Sequence, residues 1–195
     1  MCDGTDYLPK AGPRGPIAAL QRAADLASLA GAWIAGLCIV ALTLLVLIDT
    51  LMAFVSRMIP AFPSGTGVGW EYSAYLMGAA FLLGSGMTLR AGLQLRVELL
   101  LAAGKGRFAR LIECMSALLG CIVTVPLTVW LAQFAHRTWT YGEVSQDSFT
   151  PLWIPQVVLA VGAGILAFQM VARLFTALIG HPVNNPALGA ASAIE

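Results

Sequence analysis

The sequence predicts an all-α integral membrane protein with four transmembrane helices, and three observations carry that reading. Hydrophobic residues make up 58% of the chain and charged residues 11%, with a mean hydropathy of +0.81, far from the balance of soluble domains. Four apolar stretches, at about 29–55, 70–89, 111–135 and 152–175, are each long enough to cross a bilayer, since a hydrocarbon core of about 30 Å takes roughly 20 helical residues. Nearly all the Lys and Arg fall on one side of those stretches.

Helices are the expected form because lipid offers backbone amides no partner, and the short alternating segments of a closed barrel are absent from the sequence. The first span carries one charge, Asp49, after the uncharged run Leu29 to Ile48. Uncharged from Tyr72 to Leu89, the second span opens on Trp70-Glu71. In the third, Pro126 removes a backbone donor and predicts a kink, with Thr124 and Thr128 placed to help satisfy the freed carbonyl. Pro155 falls in the first turn of the fourth, where proline costs little. Trp70, Trp139 and Trp153 flank spans on one side, as interfacial anchors do.

Orientation follows from charge. Lys10, Arg14, Arg22, Arg90, Arg96, Lys105, Arg107, Arg110 and Arg173 lie on one side and only Arg57 and Arg137 on the other. Positive residues favour the cytoplasm, so both termini are expected there, N-in and C-in, with the loops near 56–71 and 136–151 facing outward. Residues 1–28 read as a polar, Pro/Gly-punctuated cytoplasmic tail without a cleavable signal, 29–179 as the membrane domain, and 180–195 as a second cytoplasmic tail. Between spans two and three, Leu93, Leu95, Val97 and Leu99 to Leu101 mix with Gln94, Arg96 and Glu98. This pattern suits a short amphipathic surface helix with Arg96 near lipid phosphates, the alternative being a bent continuation of helix two.

Charged groups in or near spans are the candidates for function. Asp49 could couple an ion, or it could sit at the outer headgroups beyond the lipid core. Glu71 either caps the second helix, where a carboxylate favours the dipole, or pairs with Arg57 to brace the first hairpin. Gly78, Gly84, Gly86, Gly162 and Gly164 permit close helix contact, inside the bundle or against a partner. Cys2, Cys38, Cys114 and Cys121 form no disulfide framework, because the last pair is two turns apart, about 10.5 Å along one axis. His136 and His181 fall on opposite sides, so no haem or metal pair is expected. The sequence has neither a phosphate-binding glycine loop, nor a Ser/His/Asp set within a span, nor a basic-aromatic run for nucleic acid, and no cofactor is expected.

Arranged in order, these features resemble a family. A first span ending in Arg57, a Pro/Gly loop, Trp70-Glu71, the run Ala80 to Gly84, Arg90 and Gly92 are similar to the small permease subunit of TRAP (tripartite ATP-independent periplasmic) transporters, the DctQ type. Gln94-Leu95-Arg96-Val97-Glu98 resembles that family's His-hydrophobic-x-Val-acid segment, with Gln94 in place of the His. Ser145, Ser148 and Pro151-Leu152-Trp153-Ile154-Pro155 are similar to its entry into the last helix. The likeness extends over about Asp25 to Ile179, and Asp49 is outside its pattern.

That resemblance implies a subunit of the bacterial inner membrane, not an enzyme. It would scaffold a large permease subunit during sodium-driven uptake of an organic acid and offer its outer loops to a periplasmic substrate-binding protein. Arg57, Trp70, Glu71, Arg90, Arg96, Glu98 and Trp153 are then candidate contacts with partner subunits or membrane lipids. Two alternatives remain at this stage: a self-sufficient homo-oligomeric transporter coupled through Asp49, and a membrane anchor for a redox enzyme.

Overall fold

A computed structural model describes residues 16–59, 61–90 and 107–179. These form four helices: α1 (Pro16–Met58), α2 (Gly69–Arg90), α3 (Arg107–Tyr141) and α4 (Trp153–Ile179). α1, α3 and α4 are long and apolar enough to cross a membrane. Glycines and hydroxyl residues, among them Tyr72, Ser73, Tyr75, Gly78, Ser85 and Thr88, dilute the apolar content of α2, so it does not join them. Both described connections, at 59–68 and 142–152, lie at one end of the bundle, called here the loop end.

α1 begins well inside the stretch expected to be a tail. Pro16 suits a first helical position, where its missing N–H would be unpaired anyway, and the Ala/Leu-rich run after it has high helix propensity. At about 1.5 Å per residue its 43 residues extend about 64 Å, roughly twice a hydrocarbon core. α3 is also longer than its span, continuing through His136 and Trp139 to Tyr141. It stops at Gly142, which takes φ 63°; Gly142 N–H bonds to Trp139 O at 3.2 Å and Glu143 N–H to Thr138 O at 3.2 Å. This is the Schellman arrangement, and it places the left-handed residue where glycine has no Cβ to strain.

α4 is the hub, packing against α3, α2 and α1, while α1 also packs along α2. Its buried face is built from Gly162, Ala163, Ala167, Ala172 and Ala177 with Gln169 and Thr176, small side chains that let backbones approach closely. Where these helices approach closely, a Cβ on Gly162 would lie 2.8 Å from Leu82 Cβ and 2.9 Å from the Leu82 backbone, and one on Gly31 2.7 Å from Leu83 O. The five glycines singled out from the sequence all face other helices of this bundle.

α3 meets α4 along an alternating three-and-four seam. Buried Ala117, Thr124, Ala135 and Thr138 interleave with half-buried Cys114, Cys121, Thr128 and Leu131, the spacing of knobs-into-holes packing. Both cysteines of the seam are free. Pro126 lies inside α3, which continues through it. The carbonyl it leaves unserved is that of Ile122, four residues back. The nearby threonines do not answer it: Thr124 Oγ1 donates to Gly120 O and Thr128 Oγ1 to Thr124 O, each at 2.8 Å.

Gly162→Leu should force α2 and α4 apart and lower the stability of the purified protein by about 1–3 kcal/mol. Thermal unfolding in detergent measures this, and an unchanged midpoint would contradict the close approach.

Candidate functional site

Polar side chains gather at the two ends of the bundle. At the end away from the loops, Gln169 of α4 donates from Nε2 to Ser28 Oγ at 2.8 Å and to Asp25 Oδ1 at 3.4 Å. Gln21 Nε2 donates to the same Asp25 oxygen at 3.2 Å. Thr176 Oγ1 donates to Gln21 Oε1 at 3.0 Å, and Arg173 Nη1 to Leu89 O, at the end of α2, at 3.3 Å. Ser28 and Gln169 are 1% and 2% exposed, so water does not compete for these bonds. Such interhelical bonds contribute about 0.6–1.7 kcal/mol each in a membrane. Together they join α1 to α4 and α4 to α2.

At the loop end, Asp49 works as a latch. Its Oδ1 accepts the Thr66 N–H at 2.9 Å, and the carboxylate lies so close to Gly69 that no side chain fits there. The first loop is thereby folded back onto α1. The carboxylate occupies backbone-loop geometry, in a shallow depression also lined by Thr50, Ala53, Ser64 and Trp70.

Glu71 holds the second loop. Tyr75, one turn on, donates to its Oε1, and the Ser145 and Ser148 side chains interact with the carboxylate. Its Oε2 is buried without a hydrogen bond of normal geometry. Beside it, Tyr72 Oη and Thr150 Oγ1 share a hydrogen bond of 2.8 Å, and Ser148 Oγ donates to Thr150 Oγ1 at 2.7 Å. The loop is itself a small hairpin: Ser145 N–H bonds to Thr150 O at 2.9 Å and Leu152 N–H to Glu143 O at 3.1 Å. Phe149, at φ 54°, turns the chain at its tip and is 76% exposed. A left-handed conformation is costly for a bulky aromatic residue, and the hairpin bonds on either side hold it there.

No ion pair joins Arg57 to Glu71 among the described residues; Arg57 is exposed near the end of α1 and Glu71 bonds within α2. Trp70 is 88% exposed. Trp153, with His136, Trp139, Ala132, Val157 and others, lines an apolar cleft of about 630 Å³ between α3 and α4. His136 and Trp139 meet edge to face at 6.0 Å. Arg90 ends α2 but its side chain, together with Arg96, Glu98 and the expected surface helix, lies outside the described residues, as do Cys2 and His181. Gln21, Asp25, Ser28, Gln169 and Thr176 were not among the sequence candidates. The signal that could have found them is a glutamine inside an apolar run, which carries no charge yet needs several hydrogen bonds. Among the described residues, no group of three His, Cys, Asp or Glu could hold a metal ion.

The family model of the tripartite ATP-independent periplasmic transporters, DctQ component, matches residues 42–180, well over half of the chain. The match begins within α1, so Gln21, Asp25 and Ser28 precede it. No curated protein and no solved structure matches the chain.

Asp49→Ala should release the first loop and speed proteolysis between residues 59 and 68. Asp49→Asn keeps an oxygen for the Thr66 N–H and should behave like the parent. Equal cleavage rates for Asp49→Ala and the parent would refute the latch.

Proposed function

Because the chain belongs to the DctQ family, the small permease component of tripartite ATP-independent periplasmic transporters, we propose that it braces a large permease subunit during sodium-driven, binding-protein-dependent uptake of an organic acid. It is a multi-pass membrane protein, and transporters of this family work with a large permease and a substrate-binding protein. The observation that carries the bracing role is the wiring of its polar groups. Gln169 binds Ser28 and Asp25, Thr176 binds Gln21, and Asp49 and Glu71 fasten loops. A transport site in a membrane protein is instead built where helices break near the midplane and leave carbonyls and helix ends for the solute. α1 to α4 are continuous over their described lengths.

In this reading α2 is a fourth span, its polar residues tolerated because α1 and α4 cover it. The nine basic residues on one side support a bacterial inner-membrane protein with both termini and the connection between α2 and α3 in the cytoplasm. The loop end then faces the periplasm, with Trp70 and the hairpin tip at Phe149 available to the binding protein. Arg57, Arg90, Arg96, Glu98 and Trp153 are contacts with the large subunit or with lipid, and Glu71, whose carboxylate is engaged by Tyr75, Ser145 and Ser148, supports such contacts indirectly by holding the second loop.

Co-expression with the large subunit, followed by mild-detergent purification through a tag on this chain, should recover both. Charge reversal at Arg96 and at Glu71 should reduce the recovery, with the chain's own elution profile as the folding control. Unchanged assembly and uptake in both variants would remove these residues from the proposal, and failure to recover the large subunit with the parent chain would remove the bracing role.

A further inference from the structure

The side of α3 turned away from α4 carries Trp130, Gln133, Arg137 and Tyr141, at spacings of three or four residues. Trp130 and Tyr141 are 68% and 73% exposed, and Gln133 and Arg137 are exposed too. Depth can be read from α4. The stretch from Trp153 to Arg173 rises about 30 Å at about 1.5 Å per residue, one hydrocarbon thickness. Thr128 is level with Gly164, since its Cγ2 lies 3.6 Å from where a Gly164 Cβ would be. The two helices are antiparallel, so Trp130 lies about 13 Å and Gln133 about 9 Å inside the level of Trp153. Trp130 is therefore close to the middle of that thickness and Gln133 well within it.

At that depth an amide and an indole N–H need partners, yet neither Gln133 nor Trp130 has one among the described residues. α1 shows what a lipid-facing surface looks like in the same chain. Its outward residues are aliphatic or aromatic over most of its length, and its exposed hydroxyls bond to their own helix, Thr43 to Ile39 O at 2.9 Å and Thr50 to Val46 O at 2.7 Å. Lipid tails cannot satisfy Gln133. A second copy of this chain is also a poor fit: a two-fold axis along the membrane normal brings equal levels together and would set Arg137 against the partner's Arg137. Trp, Tyr and Arg are the residue types that dominate binding energy at protein interfaces, and Arg137 is already held over the Tyr141 ring at 5.7 Å.

We propose that the Trp130–Gln133–Arg137–Tyr141 face of α3 seats a transmembrane helix of the large permease subunit, with Gln133 hydrogen-bonded to a polar group of that helix. This rests on the bracing role above and specifies its contact.

The test uses the full chain co-expressed with the large subunit, carrying a benzophenone amino acid in place of Trp130 or, for comparison, of Leu44 on α1. Ultraviolet light should link the large subunit to position 130 and not to position 44. In parallel, Gln133→Leu should weaken recovery of the large subunit roughly three- to fifteen-fold while leaving the thermal midpoint of the isolated chain unchanged or higher, because the amide has left the lipid. A complex that forms normally but links only at position 44 overturns this face and spares the bracing role. Links to a second copy of the chain, or to lipid alone, overturn the choice of partner. If no complex forms, both proposals fall.

Discussion

Hydrocarbon supplies no hydrogen bonds, and that constraint sorts the polar side chains of this protein into groups with different fates. Some of those facing into the bundle are answered there, Gln169 by Ser28 and Asp25 and Thr176 by Gln21, whereas Thr138 Oγ1 and Gln156 Oε1 are buried without a partner among the described residues. Those near the loop end fasten backbone, as Asp49 does for Thr66. The exposed threonines of α1 turn back on their own carbonyls. Gln133 belongs to none of these groups: it is exposed on α3 and has no hydrogen-bond partner among the described residues.

Three arrangements hold the bundle together. Small residues on α4 and the Gly31–Leu83 contact bring α1, α2 and α4 together at van der Waals distance in the middle, where lipid gives helices no hydrophobic reason to associate and packing must do so. Hydrogen bonds at the end away from the loops then fix the register of α1 against α4, because a slip by one residue would separate Gln169 from Ser28. Latches at the loop end restrict the connections. A bundle held at both ends and in the middle in this way suits the bracing role proposed above.

Much of the helical layout was legible because length and hydropathy are summed over many residues. The extra turns were less so. The start of α1 was hidden by charge, since Gln21, Arg22 and Asp25 look like a solvated tail although the intervening alanines and leucines favour helix. The end of α3 was readable in principle from Gly142. The partner of Glu71 also lay within local reach, because Tyr75 is one turn away on the same helix face, whereas the contact with Ser145 and Ser148 depends on how two loops meet and has no local signal. Asp49 was ambiguous for the same reason: a carboxylate after an apolar run reads equally as an ion site or a loop anchor until the fold places Thr66 and Gly69 beside it. Gln133 and Gln169 carry no formal charge and so give no signal when candidates are sought among charged groups, although a neutral amide in a membrane also needs partners. The family match, from residue 42 rather than from about Asp25, leaves the first half of α1 outside the shared region.

Solute flux into liposomes tests the central claim most directly, because a brace and a carrier differ in what they do alone. Vesicles holding only this chain, given a sodium gradient and a panel of organic acids, should show no uptake above empty vesicles, and adding the large subunit and the binding protein should produce it. Sodium-dependent uptake by the isolated chain, lost in Asp49→Asn, would contradict the account.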